Sequence, residues 1–276
     1  MRTVSFIART SLALTAAAFA AGSADAALVV FDTFGAGAQS VTAAGSLVSN
    51  TGVSTNTSGA NASIAPVAGS RNSRLARADW ATDQNVAGLT TAQKSARSAS
   101  TIVDSAAGVA RMSFGGRLSA ANNALTYASQ IGGTMDFSSY DTMYLDGALT
   151  NATGFSLSSV LTLDIVLVDS NGINASWYFG ASDANGGLTG LNGVLSANFA
   201  DFASFDPNDF ASTVAIDMSQ IASFSVKLGY FDGSFGAPSV GATYSLGQIS
   251  FNAVPAPGAI ALLAAAGLVG AVRRRA

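Results

Sequence analysis

The chain has no cysteine and no histidine, and all 16 of its acidic residues are aspartate. Without cysteine there are no disulfides, no thiolate chemistry and no cysteine-ligated metal. Without histidine the commonest general base and the commonest transition-metal ligand are both missing. Serine–histidine triads and zinc-hydrolase motifs are therefore excluded, and the glutamate-pair glycosidase arrangement has no glutamate to use. Charged residues make up only 11% of the sequence. From Ala27 to Asn252 there are 15 aspartates against six arginines and two lysines, a net charge of −7. An acidic body argues against nucleic acid as a partner, because phosphate binding needs basic density.

What the sequence has instead is glycine, 29 residues of it, with much serine, threonine, alanine and asparagine. With so little Glu and Lys to favour helices, the body reads as strands and turns. About 226 residues suffice for one β-sandwich with a real core.

Both ends carry address labels. Arg2 and Arg9 precede an apolar run from Ser11 to Ala21, and Ala24-Asp25-Ala26 has the small-x-small spacing of a signal-peptidase site. Cleavage is expected after Ala26, so that the mature chain begins at Ala27. An uncleaved N-terminal anchor is the alternative, but the run is short and alanine-rich for a membrane span. At the other end come Val254-Pro255-Ala256-Pro257, an apolar stretch from Gly258 to Val272, and Arg273-Arg274-Arg275. A helix over that stretch would be roughly 22 Å long, against a hydrocarbon core of ~30 Å, and would span only marginally. Its arginines would stay cytoplasmic, leaving the body outside. Pro255 and Pro257 break any helix upstream and hold an extended segment, accessible to a processing enzyme.

This tail resembles the PEP-CTERM sorting signal of bacterial surface proteins: Val254, Pro255 and Pro257, then Leu262, Leu263, Gly267, Leu268 and Gly270, then the three arginines. The family's glutamate is replaced by Ala256. The resemblance covers the tail alone, and it implies processing by an exosortase-type enzyme and delivery to the cell surface or the extracellular matrix. An ordinary C-terminal membrane anchor is the other reading. The expected organisation is a signal peptide over 1–26, a β-sandwich body over 27–253 and a sorting tail over 254–276, with a helix in each flanking segment.

Within the body, Leu28 to Phe34 reads as a strand, 35–69 as loops and edge strands, and 71–100 as irregular, since it shows no clean period. Val109 to Phe114 and Ala124 to Ala128 read as paired strands, and Thr142 to Asp146 as the next. Leu161, Leu163, Ile165 and Leu167 alternate with Thr162, Asp164, Val166 and Val168, so one face is buried. The turn Asp169-Ser170-Asn171-Gly172 then makes 161–179 a hairpin. Val214 to Asp217 reads as a short strand followed by a turn, and Phe224 to Tyr230 as an amphipathic strand. In Tyr244, Leu246, Ile249 and Phe251 the parity slips at Gly247-Gln248, which predicts a β-bulge. The whole favours an antiparallel sandwich of jelly-roll type. The order of elements from Val214 to Phe251 is also similar to the distal half of sandwich bodies carried by proteins with this tail, which raises the expectation of a carbohydrate-binding-like fold.

Candidate chemistry is confined to aspartate, asparagine and aromatics. Asp201, Asp206, Asn208 and Asp209 cluster among Phe202, Phe205 and Phe210, and Asp183, Asn185 and Gly186 form a second group. Hard oxygen donors of this kind suit calcium. Turn formation through side-chain bonds to the backbone explains them as simply. Trp80 and Tyr178 are the aromatics to examine for stacking on sugars, whereas Trp177 shares a face with Phe179 and reads as core. Three functions follow: an exported, non-catalytic structural or adhesive protein; a carbohydrate-binding module acting on exopolysaccharide; and, least favoured, a hydrolase using a pair such as Asp206 and Asp209.

Overall fold

A strand that is apolar on every second residue needs a second layer to cover it, and two stacked sheets supply that layer. The computed structural model describes residues 27–44, 53–58, 62–67, 70–82, 89–129, 133–156, 158–180, 191–208, 214–234 and 238–254. The expected terminal helices fall outside these residues, as do Asp183, Asn185 and Gly186. Among the described residues, the strands are β1 (Ala27–Asp32), β2 (Gln39–Ala44), β3 (Val53–Ser58), β4 (Ala62–Val67) and β5 (Ser70–Thr82). After a short capped helix, α1 (Thr91–Ser95), come β6 (Ser98–Asp104), β7 (Val109–Arg117), β8 (Ala120–Ser129) and β9 (Tyr140–Thr153). The chain continues with β10 (Ser159–Asp169), β11 (Asn174–Gly180), β12 (Asn192–Asn198), β13 (Ala203–Phe205), β14 (Ile221–Asp232) and β15 (Ser239–Ala253).

All pairings are antiparallel, and the strands form two sheets. The first runs β12-β9-β15-β7-β6-β2, with β1 paired to β15; the second runs β13-β11-β10-β14-β8-β5-β3, with β4 paired to β5. The chain crosses between sheets at β2–β3, β5–β6, β7–β8, β8–β9, β9–β10, β11–β12, β12–β13 and β14–β15, a jelly-roll-like winding. Leu161, Leu163, Ile165 and Leu167 are fully buried, as the alternation requires, against a layer that includes Met112, Met143, Leu145, Leu246 and Ile249. At one end of this core Phe31, Tyr127, Phe224 and Phe251 interlock, with ring centroids 4.6 Å apart for Tyr127–Phe224 and 5.0 Å for Phe31–Phe224. The hairpin pairs Val168 with Asn174, and the register of β15 against β9 shifts between Leu246 and Gln248, where the parity slip lies.

Three expectations need correction. The first part of the stretch 71–100, expected to be irregular, is a strand: β5 is long and interior, and alternates cleanly between buried and half-buried positions from Ser73 to Ala81. Its inward face carries Arg74, Ala76, Ala78 and Trp80, so the period is hidden by a cation and two small residues. This side of the core is tied by polar bonds between sheets: Trp80 Nε1 donates to Ala43 O (3.2 Å), Thr101 Oγ1 to Arg77 O (2.6 Å) and Asn123 Nδ2 to Ser113 O (2.7 Å). Second, β7 and β8 do not pair with each other; the turn at Leu118 and Ser119 carries the chain across to the other sheet. Third, 214–217 is not a strand. There the Asp217 N–H is taken by the Asp169 carboxylate, while the Asp217 carboxylate accepts the N–H and hydroxyl of Ser219. These side-chain bonds replace a strand partner.

A buried ion pair closes the end of the core beside β1. Arg74 Nη1 donates to Asp32 Oδ2 at 2.6 Å, and both side chains are inaccessible to solvent or nearly so. Asp32 also accepts the Tyr127 hydroxyl (3.0 Å) and the Phe34 N–H (2.7 Å). Arg74 further donates to the carbonyls of Ala36 and Gly37 and to Gln39 Oε1. Phe34 is held at a φ of 58°, unusual for a bulky residue, with the Arg74 guanidinium over its ring at 5.4 Å.

Candidate functional site

The face of the second sheet that looks away from the core is polar by parity, and one end of it is hollow. In β10, β14, β8 and β5 the outward positions nearest the chain crossings are Val160, Thr162 and Asp164; Gly229 and Phe231; Ala120 and Asn122; Asp79 and Ala81. These side chains line a cleft of about 370 Å³. That volume lies at the lower end of the range typical of small-molecule and oligomer sites. Gly229, Ala81 and Ala120 make a shallow floor because they have little or no side chain. Phe231 and Val160 leave large apolar surfaces open to solvent, 42% and 46% exposed.

Polar groups stand in rows across this floor. Registered side by side are Thr162, Gly229, Asn122 and Asp79; the next row holds Tyr178, Asp164, Lys227, Ala124 and Arg77. A Cβ on Gly229 would come 2.9 Å from Thr162 Oγ1 and 3.4 Å from Asp164 Oδ2, so the glycine keeps those two groups accessible. Burial holds the Asp164 carboxyl above its ordinary value, opposed by a hydrogen bond from Thr162 and by the charge of Lys227. A raised carboxyl pKa favours the fold most when the group is protonated: that contribution is complete below pH 3.8 and is lost as pH rises through the folded value. Asp164→Asn should therefore match the natural protein in urea unfolding at acid pH and exceed it at pH 7. Equal stability of the two at both pH values would contradict this placement of the carboxyl.

The residues singled out from the sequence are dispersed. Trp80 is not available for stacking on a sugar: it is 1% exposed, bonded to Ala43 O and covered by the Arg97 guanidinium 5.0 Å from its ring centre. Its inward parity on β5 decides this. Tyr178 is 68% exposed and stands beside Asp164, next to the cleft on the same face. Trp177 is partly buried on the other face and stacks on Phe202. Asp201 is exposed in a short 3-10 turn, and Asp206 Oδ1 accepts the Asn208 N–H at 2.8 Å, a turn-forming bond. Asp209 lies outside the described residues, so the calcium trio and the Asp206–Asp209 pair are not placed together. Among the described residues no three acidic side chains group so as to hold a metal ion. Ala24, Ala26, Pro255, Pro257, Arg273, Arg274 and Arg275 also lie outside the described residues. Val254 is exposed and donates its N–H to Ser139 O at 2.8 Å.

Sequence reasoning missed Asp79, Asn122, Thr162, Asp164, Gly229 and Phe231 as a group. The usable signal was Gly229 on the polar face of an otherwise regular strand, which marks a place where something approaches the backbone closely.

No family model matches the chain, and no curated protein matches it. Among solved structures it is similar to an exo-β-agarase, at 13% identity and a TM-score of 0.29, over 53% of this chain and 21% of that chain. It is also similar to a family 30 carbohydrate-binding module, at 8% identity and a TM-score of 0.27, over 84% of this chain and 86% of that one. A third similarity is to SGBP-B from a xyloglucan utilization locus of Bacteroides uniformis, at 12% identity and a TM-score of 0.25, over 78% and 72% of the two chains. The chain thus spans about a fifth of the agarase's length.

Proposed function

We propose that this is an exported, non-catalytic adhesive protein of the bacterial cell surface or extracellular matrix, sorted through its C-terminal tail, and that it holds a neutral polysaccharide in the outer-face cleft. The observation that carries the reading is the cleft itself. A floor of Gly229, Ala81 and Ala120 lies open between two carboxylates, an amide and a hydroxyl, with the apolar surface of Phe231 at the rim. Carboxylate and amide groups match the dense hydroxyls of a sugar, and an apolar ring matches its C–H face. Asp79 and Asp164 line the cleft while Arg77 and Lys227 sit one row away, so an uncharged polymer fits better than an acidic one.

Hydrolysis fits poorly. Asp79 and Asp164 stand three strands apart in the sheet order, roughly 14 Å at ~4.8 Å per step, wider than the ~6.5–9.5 Å of an inverting glycosidase pair. Export has separate support in the sequence of the two ends.

Affinity electrophoresis tests the binding reading. The protein should be retarded in gels containing at least one neutral polysaccharide (a β-glucan, xylan or agarose), and Asn122→Ala should largely restore its mobility. Retardation by acidic polymers alone, or by none, would defeat it.

A further inference from the structure

The two ends of the body lie side by side. Ala27 pairs with Ala253 in the β1–β15 ladder, and the next residue, Val254, is bonded to Ser139 at the start of β9. The same pole holds the bridge between Met135 and Ile221 and the bond from Phe137 N–H to Met218 O. The cleft belongs to the opposite pole. Near it, Asp232 N–H bonds to Ser119 O, Gly233 N–H to Ser158 O and Ser119 N–H to Ala81 O, where β14, β8, β10 and β5 meet the crossings to the other sheet. Strand β9 runs between the poles, starting at Tyr140 beside Ser139 and ending at Thr153, next to the crossing into β10. Tyr140 and Thr153 stand opposite Ala253 and Gly241 of β15, 12 steps apart, ~40 Å at ~3.3 Å per residue.

We infer that in the form that keeps its tail the pole of Ala27, Ala253 and Ser139 faces the membrane, and that the cleft lies near the far pole, opening sideways from the outer face of the second sheet at a distance from the lipid. This rests on the tail and cleft readings above and adds a direction to them. Both membrane-directed segments, residues 1–26 and 255–276, join the body at adjacent Cα positions in one ladder, and β15 is a continuous strand of 15 residues that keeps this junction at a fixed place in the first sheet. A body held there stands on end. Its polysaccharide would be captured from outside, not from the lipid surface that carries it.

The absence of cysteine makes the test clean, because one introduced thiol is the only one present. The full chain, tail retained, is inserted in vesicles carrying a headgroup acceptor dye, with a donor fluorophore on Ser139→Cys or Thr153→Cys. Both positions are exposed and at opposite ends of β9. Energy transfer to the lipid should be at least about threefold stronger from Ser139→Cys, given a separation of ~40 Å along the strand. Equal transfer from the two sites, stronger transfer from Thr153→Cys, or failure of the chain to associate with vesicles would each overturn the orientation. No glycan enters this measurement, so its failure is distinct from failure of the cleft to bind sugar.

Discussion

Asp32→Ala should lower the stability of the sandwich by about 3–5 kcal/mol, the usual consequence of leaving one partner of a buried ion pair unpaired. Arg74 would keep its bonds to Ala36, Gly37 and Gln39 but lose the carboxylate it is paired with, in a site with no access to water. The Tyr127 hydroxyl and the Phe34 N–H would lose their acceptor in the same step. Phe34 sits at positive φ under the guanidinium, so the turn that follows β1 loses the bond that holds it in that conformation. Urea unfolding should show a lower midpoint with little change in slope. The Tyr127 phenol, held well above its ordinary pKa by burial and by the charge of Asp32, should move back toward the ordinary range wherever the variant remains folded. A loss of less than 1 kcal/mol would mean that the pair is not sealed from solvent, as a test against ~3 kcal/mol distinguishes.

Gly229→Val should weaken polysaccharide binding by about 10- to 100-fold while leaving the fold intact. The new Cβ would meet Thr162 Oγ1 at 2.9 Å and Asp164 Oδ2 at 3.4 Å, and the two methyl groups would occupy the cleft floor. Two ligand hydrogen bonds are then obstructed, one of them to a carboxylate worth roughly 1.5–3 kcal/mol, and ~1.4 kcal/mol corresponds to each tenfold in affinity. Stability should change little, because valine suits an outward strand position and the clash is with a side chain rather than with backbone. Titration calorimetry with the polymer identified by electrophoresis gives the affinity, and thermal unfolding gives the control. Unchanged affinity in a folded variant would move the site elsewhere.

Those parts of the fold with large side chains on one parity were legible in advance. The hairpin of β10 and β11, the amphipathic β14 and the slip at Gly247 all follow from alternation that large apolar residues make visible. Strand β5 was not legible because Arg74 and two alanines occupy its inward face, and the ion pair that justifies Arg74 depends on Asp32, 42 residues earlier. Pairing was harder still. Strands β7 and β8 are close in sequence yet belong to different sheets, since a two-residue crossing looks much like a hairpin turn.

The cleft illustrates the same limit. Asp164 and Thr162 read as the solvent side of a hairpin, and nothing local to them announces Asn122 or Asp79, which arrive from two other strands in register. Trp80 looked available because aspartates surround it in sequence, but strand parity turns its ring inward. Tyr178 has the exposure expected of a stacking residue and stands opposite Asp164, beside the cleft.

The most direct measurement is a two-dimensional amide spectrum of the isotopically labelled protein, recorded while a short neutral oligosaccharide is added. The account predicts that the Asn122 side-chain amide and the backbone amides of Gly229, Phe231 and Thr162 shift together with one saturation curve. Shifts confined to the first sheet, around Val194 and Asp146, or no shift at any attainable concentration, would contradict it.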